Sequence, residues 1–204
     1  MVAHTIPCLT FRGTPGLAAG FLPLLREGVR LSAPTGLTLR QVMEQTLGMA
    51  PDYVTDRVLT VFLNGSPVDD IDQVHVREGS EIGLGAAMPG LAGISMRRGS
   101  PIKAFREAIA ARPEAQTAAA GDAALTVKLF NLVADEAGAE VLRRGVGLSA
   151  SRLAAFLAGR EAPFWARIRA LEADGLAVSS TALLHGLSQA QDRDVTLSVI
   201  EECA

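Results

Sequence analysis

Hydrophobic and polar positions along this chain follow two different periods, and the change of period sets the expected elements. Ile6 to Phe11 carries the strand formers Ile, Leu, Thr and Phe. Gly28 to Ala33 alternates Val29 and Leu31 with Arg30 and Ser32, the period-two signal of a half-buried strand. The period then becomes helical. Thr38 with Gln41 three residues on forms a capping box, Leu39, Val42, Met43 and Leu47 make one apolar stripe, and Gly48 stands where the helix ends. Val58 to Leu63 is a continuous apolar run suited to a central strand. Asn64-Gly65 is a tight-turn signal, and Glu81 to Leu84 is a last strand. The connection from Gly13 to Glu27 is glycine-rich, with Phe21 to Arg26 as one helical turn. It is expected to cover one end of the sheet; a partner surface is the alternative.

Beyond Gly90 the same reading predicts helices. Gly90 to Gly99 is a linker in which Arg97 and Arg98 are solvated. Ser100-Pro101 then starts a helix bearing Ile102, Phe105 and Ile109, closed by Pro113. Asp122 caps a helix with Leu125, Leu129, Leu132 and Val133 on its buried face, broken at Gly138. Further helices are expected over Ala139 to Arg144, from Ser149 to Gly159, from Pro163 to Gly175 and from Thr181 to Gln191. Val195, Leu197 and Val199 alternate, yet Leu197 with Ile200 also suits a helix, so the last segment stays undecided.

The order strand, strand, helix, strand, strand, with the block Val58–Gly90 (apolar strand, Asn-Gly turn, polar loop, Glu78-Gly79-Ser80 turn, last strand, Pro-Gly), resembles the small sulfur carriers of the MoaD/ThiS family. The resemblance covers roughly residues 2–93. It implies an α+β protein: a ubiquitin-like β-grasp domain over 1–93, a linker over 94–100 and an all-α helical domain over 101–204. In that family the last strand leads into a tail ending in Gly-Gly, whose carboxylate is adenylated and becomes a thiocarboxylate. Here the tail is internal. The tail candidates are Gly90 and Gly93, with Leu91 where the second glycine would stand. Glycine matters there because only a residue without Cβ lets the backbone thread a narrow channel.

Composition narrows the classes further. The 204 residues are 49 % hydrophobic and 20 % charged, as in a folded globular chain, with a net charge of −3 that gives no global pull toward nucleic acid or anionic lipid. The two cysteines, Cys8 and Cys203, stand at opposite ends. They form no disulfide framework and no zinc spacing, so a reducing, cytoplasmic setting of bacterial type is expected, with Cys8 buried as a small hydrophobe. The apolar stretch Gly16–Leu25 is shorter than the roughly 20 residues a membrane span needs.

Catalytic patterns are not found. His4, His75 and His185 have no neighbour at metal-ligand spacing, and His75 is expected to face solvent. Asp69, Asp70 and Asp72 read as a polar loop. No metal and no cofactor is expected. One segment points to nucleic acid. Residues 138–159 resemble a helix-turn-helix of phage-repressor type, with Ser149, Ser151, Arg152 and Arg160 as the candidate contacts. From Ala139 to Ala170 six arginines face only Glu140 and Glu161.

Three functions are compatible with these patterns. The first is a non-catalytic protein-binding or adaptor module, docking a protein such as an adenylating or sulfur-transfer enzyme. The second is a sulfur-carrier precursor activated by cleavage after Gly90 or Gly93. The third is a DNA-binding regulator. The alanine-rich second half also suits an oligomer.

Overall fold

The computed structural model describes residues 7–111, 121–190 and 193–202. Its strands are β1 (Cys8–Gly13), β2 (Val29–Pro34), β3 (Thr60–Leu63), β4 (Ser66–Pro67), β5 (Glu81–Gly85), β6 (Asp122–Leu129), β7 (Val146–Ser149), β8 (Ile168–Ala173), β9 (Leu176–Ala177) and β10 (Asp194–Glu201). Its helices are α1 (Leu22–Glu27), α2 (Leu39–Gln41, continued by a π turn over Val42–Thr46), α3 (Pro51–Asp56), α4 (Gly90–Met96), α5 (Asn131–Arg144), α6 (Ala150–Ala158), α7 (Ala162–Trp165) and α8 (Ser180–Ala190). The chain divides into two compact units, one of residues 25–140 and one of residues 1–24 with 141–204. No described helix is long and apolar enough to cross a membrane.

In the unit 25–140 the strand order is β4-β3-β5-β6-β2. Strands β5 and β6 run parallel and every other neighbouring pair is antiparallel. Period-two burial is clearest in β6, where Ala123, Leu125, Val127 and Leu129 are buried. Val29, Val61, Ile82 and Leu84 join them, and the stripe Leu39, Val42, Met43 and Leu47 closes the core. Each of these leucine, valine and methionine side chains contributes about 1.5–3 kcal/mol by leaving water. The capping box forms as expected: the Gln41 amide donates to Thr38 Oγ1 at 3.2 Å and the Thr38 amide to Gln41 Oε1 at 2.9 Å. The helix then widens, with the Leu47 amide reaching the Val42 carbonyl, and ends at Gly48 (φ +73°).

In the other unit the order is β7-β10-β1-β8-β9, with β10 and β1 parallel. Leu9, Phe11, Val195, Leu197 and Val199 form its buried sheet face, met by Leu153 and Leu157 of α6 and by Leu183 and Leu187 of α8. The connection after β1 covers this core as expected. Leu17, Ala18 and Phe21 are buried, and Phe21 stacks at 5.1–5.5 Å from Phe11, Phe156 and Phe164.

The two units repeat one another rung for rung. Val29 faces Val127 as Val146 faces Leu197; Thr126 pairs with Glu81 as Thr196 pairs with Cys8. Leu63 stands to Ile82 and Ser66 as Ala173 stands to Leu9 and Leu176. Both hairpins turn on two positive-φ residues, Asn64-Gly65 (51°, 78°) and Asp174-Gly175 (50°, 78°). Gly28-Val-Arg-Leu-Ser-Ala33 matches Gly145-Val-Gly-Leu-Ser-Ala150. At both glycines φ is positive, and a Cβ would stand 3.3 and 3.2 Å from the Thr126 and Thr196 methyl groups.

This architecture corrects the expected fold. A β-grasp over 1–93 needs its first two strands side by side, but β1 pairs with β10 and β8, and β2 pairs with β6. The second half is not all-α, since it holds β6 to β10. The reason is periodicity. Leu125 and Leu129 lie four apart, which suits one helix face and also one strand face. The buried Ala123 and Val127 between them select the strand. Helix α5 begins later than expected, at Asn131, and runs through Gly138 to Arg144. The expected linker 94–100 lies within the unit 25–140.

Candidate functional site

The connection from β5 to β6 is where polar and apolar residues exchange their usual places. Between Gly90 and Ala111 four large apolar side chains face solvent: Leu91 is 71 % exposed, Ile94 46 %, Phe105 83 % and Ile109 54 %. Two arginines go inside. Arg106 is 2 % exposed, and its guanidinium donates to Asp69 Oδ1 (2.8 Å) and to the carbonyls of Arg97 (3.1 Å) and Ser95. Its Nη1 is buried without a partner. Arg98 donates to the carbonyls of Val54 (2.9 Å) and Val58 (2.6 Å), and burial, then Arg40, lowers its pKa from the ordinary guanidinium value. Backbone bonds fasten the rest: the Arg98 amide to the Leu59 carbonyl (2.8 Å) and the Ala111 amide to the Pro67 carbonyl (2.9 Å).

Local sequence explains the ridge. Pro89 precedes α4 in extended conformation, and Gly90 takes φ +80°, a value open to glycine. Leu91 and Ile94 lie three apart on the outer face of α4. Gly93 is buried because the chain folds back on itself; a Cβ there would stand 2.4 Å from the Met88 carbonyl oxygen. Phe105 and Ile109, four apart in the 3-10 segment Lys103–Ile109, point out where Arg106 points in. Four basic residues (Arg97, Arg98, Lys103, Arg106) and one acid, Glu107, lie in this segment of a net-acidic chain.

The expected site residues fall in several places. Gly90 and Gly93, the tail candidates, sit in the first turns of α4. Cleavage after either would cut the chain between β5 and its parallel neighbour β6. Residues 138–159 are not a helix-turn-helix: α5 and α6 are joined through β7, which pairs with β10. The four candidate contacts have internal tasks. Ser149 caps α6 by accepting the Arg152 amide (3.3 Å), and Ser151 bonds Ser149 at 3.2 Å. Arg152 donates to the Leu24 carbonyl (2.8 Å), and Arg160 lies 4.2 Å over the Phe156 ring while donating to the Phe156 carbonyl.

Other expectations also change. Cys8 is exposed rather than buried, and Cys203 lies outside the described residues. Arg98 is half-buried and bound to backbone carbonyls rather than simply solvated. His75 does not face solvent: it is half-buried, bridged to Thr38, with Nδ1 buried and unpartnered. Asp69 and Asp72 are not a bare polar loop, since Asp69 holds Arg106 and Asp72 holds Arg40 at 2.5 and 3.2 Å. Among the described residues no three His, Cys, Asp or Glu side chains converge to hold a metal. Sequence reasoning missed the ridge. Its signal was present as apolar residues three and four apart in a segment too glycine-rich and basic to be read as a core helix.

No known protein family, no curated protein and no solved structure matches this chain.

Proposed function

We propose that this protein is a protein-binding adaptor that docks its partner through the ridge Leu91, Ile94, Phe105 and Ile109. The observation that carries the reading is the inversion at that ridge: four large apolar side chains stand outward while Arg106 is buried and Arg98 half-buried beneath them. Soluble chains rarely keep a contiguous apolar patch in water without a partner to cover it. The rim is basic, with Arg97 and Lys103 exposed beside the apolar centre. The matching partner surface is an apolar patch rimmed by carboxylates, steered by charge and held by burial. The resemblance of the 58–90 block to sulfur carriers names the class to test first, an adenylating or sulfur-transfer enzyme of the cytoplasm.

The test compares the wild-type chain with the double variant Leu91→Ser, Phe105→Ser. Proteins retained from the native cell by the wild type alone are purified, and binding is measured by calorimetry. Truncating two central apolar contacts is expected to weaken binding by about 30-fold or more, the scale of a hot spot. Equal affinity for both forms removes the ridge from the interface. A dimer of this chain that the double variant abolishes would give the ridge to a second copy and overturn the partner reading.

A further inference from the structure

The unit of residues 1–24 and 141–204 holds a cavity of about 290 Å³ between α8 and its sheet. Leu9, Ala173 and Val195 of β1, β8 and β10 form the floor, and Ala182, Gly186 and Ala190 of α8 form the facing wall. Among the described residues that line it, Arg193 alone is charged. An apolar cavity of about 150 Å³ takes benzene, so this one takes a body roughly twice that size. We propose that this cavity binds a monocarboxylate with an apolar body of about two fused rings.

The cavity exists because small residues stand where larger ones would fit. Gly186 lies in the middle of α8, where glycine is the least favourable residue after proline. Its φ is not among the positive ones, so the backbone does not require glycine there. A Cβ at Gly186 would meet no atom within 4 Å, so close packing does not require it either. Ala182, Gly186 and Ala190 lie four apart on one helix face, and the glycine leaves the middle of that face open. The sheet side shows the same choice. Ala173 pairs with Leu9, and it stands where the other unit has Leu63 opposite Ile82. Opposed residues of an antiparallel ladder share a face, so a leucine fits this rung in one unit and an alanine leaves room in the other.

Arg193 supplies the polar end. Its amide donates to the Ala190 carbonyl at 2.9 Å and its carbonyl accepts the Ala150 amide at 2.8 Å. Both backbone groups are therefore engaged, and the side chain is what Arg193 offers to an occupant. Among the described residues no hydrogen bond or ion pair engages that side chain. With no acidic residue among those lining the cavity, an anionic end is favoured over a cationic one. A guanidinium meets a carboxylate through two parallel N–H···O bonds. Because Arg193 is exposed, the pair adds modestly, and burial of the apolar body supplies most of the affinity.

The experiment uses the intact chain and sodium naphthoate, followed by NMR, with naphthamide as the neutral comparator. Naphthoate is expected to shift the amides of Leu183, Gly186, Leu187 and Val195 saturably, and naphthamide to bind about fivefold more weakly. Gly186→Leu and Ala173→Leu fill the space from opposite walls, and each is expected to cut naphthoate affinity about tenfold or more. Gly186→Leu is also expected to raise the unfolding midpoint, because leucine is the better helix former, which separates lost binding from lost folding. Arg193→Gln is expected to weaken naphthoate about fivefold and to leave naphthamide unchanged. No saturable shift in the wild type, wild-type affinity in both filled variants, or equal binding of the acid and the amide overturns the proposal.

Discussion

Arg106 and Asp69 lie 37 positions apart in the chain, and their side chains meet at 2.8 Å with the Arg106 side chain almost wholly out of water. That bond, with the carbonyls of Ser95 and Arg97, fastens the apolar ridge to its unit. Asp69→Asn keeps the shape but leaves a buried guanidinium without its counter-charge, which is expected to cost about 3 kcal/mol. Arg106→Met removes the charge itself and is expected to cost less, about 1–2 kcal/mol, because Asp69 is partly solvated. Urea unfolding should show a lower midpoint at unchanged slope in both. The opposite ranking would mean that the ion pair does not hold the segment.

The repeated hairpin predicts matched responses at distant positions. Asn64→Ala and Asp174→Ala each place a Cβ-bearing residue without a local acceptor at positive φ. Each is expected to cost about 1–2 kcal/mol. Asn64→Asp and Asp174→Asn are expected to fall within about 0.5 kcal/mol of wild type. Unequal costs at the two sites would show that the turns differ despite their common geometry.

Tyr53, Arg57 and Glu136 form a surface cluster whose titration can be followed residue by residue. Arg57 donates to Glu136 Oε2 at 3.2 Å and the Tyr53 hydroxyl donates to the same oxygen at 3.0 Å. The hydrogen bond from Arg57 is the main cause that lowers the Glu136 pKa; desolvation opposes it and the Tyr53 bond adds to it. Its stabilising contribution is therefore complete above the unfolded glutamate value, about 4.3, and is lost as pH falls through the lower folded value. Burial, then the bond to Glu136, raises the Tyr53 pKa. That contribution is complete below the unfolded phenol value, about 10, and is lost as pH rises through the folded one. Carbon-detected NMR should place Glu136 below the ordinary range, and Arg57→Gln should return it upward. No change in that variant would rule out the pairing.

A fragment ending at Gly90 bears on the carrier-precursor alternative. It keeps β2, β3 and β5 but lacks β6, which pairs with both β2 and β5, and it lacks β10, the parallel neighbour of β1. Unpaired central strands leave buried backbone groups unsatisfied. The fragment is expected to give a collapsed, poorly dispersed amide spectrum. A well-dispersed, cooperative fragment would restore residues 1–90 as an independent carrier domain.

Much of the local structure was legible in the residues. The capping box at Thr38, the stop at Gly48, the Asn64-Gly65 turn and the alternation of β2 all formed where the patterns placed them. Each depends on groups within a few positions of one another, so side chain and backbone there fix the conformation alone. The repeat is also written in the chain, as GVRLSA and GVGLSA, but the intervening segments share no spacing.

Strand partners were decided only by the tertiary structure. Leu9-Thr10-Phe11-Arg12 and Leu125-Thr126-Val127-Lys128 carry the same pattern, and either could lie beside β2 by its residues alone. Ladder hydrogen bonds join backbone groups that are the same in every residue, so pairing is selected by what the whole face buries. The packing placed β6 beside β2 and β1 beside β10. It also decided the candidate sites. Arg98 and Arg106 are surface residues by composition, and they turn inward because carbonyls and Asp69, contributed from 37 to 44 positions away in part, receive them. That exchange leaves Leu91 and Phe105 in water, an outcome of long-range contacts that local periodicity does not encode.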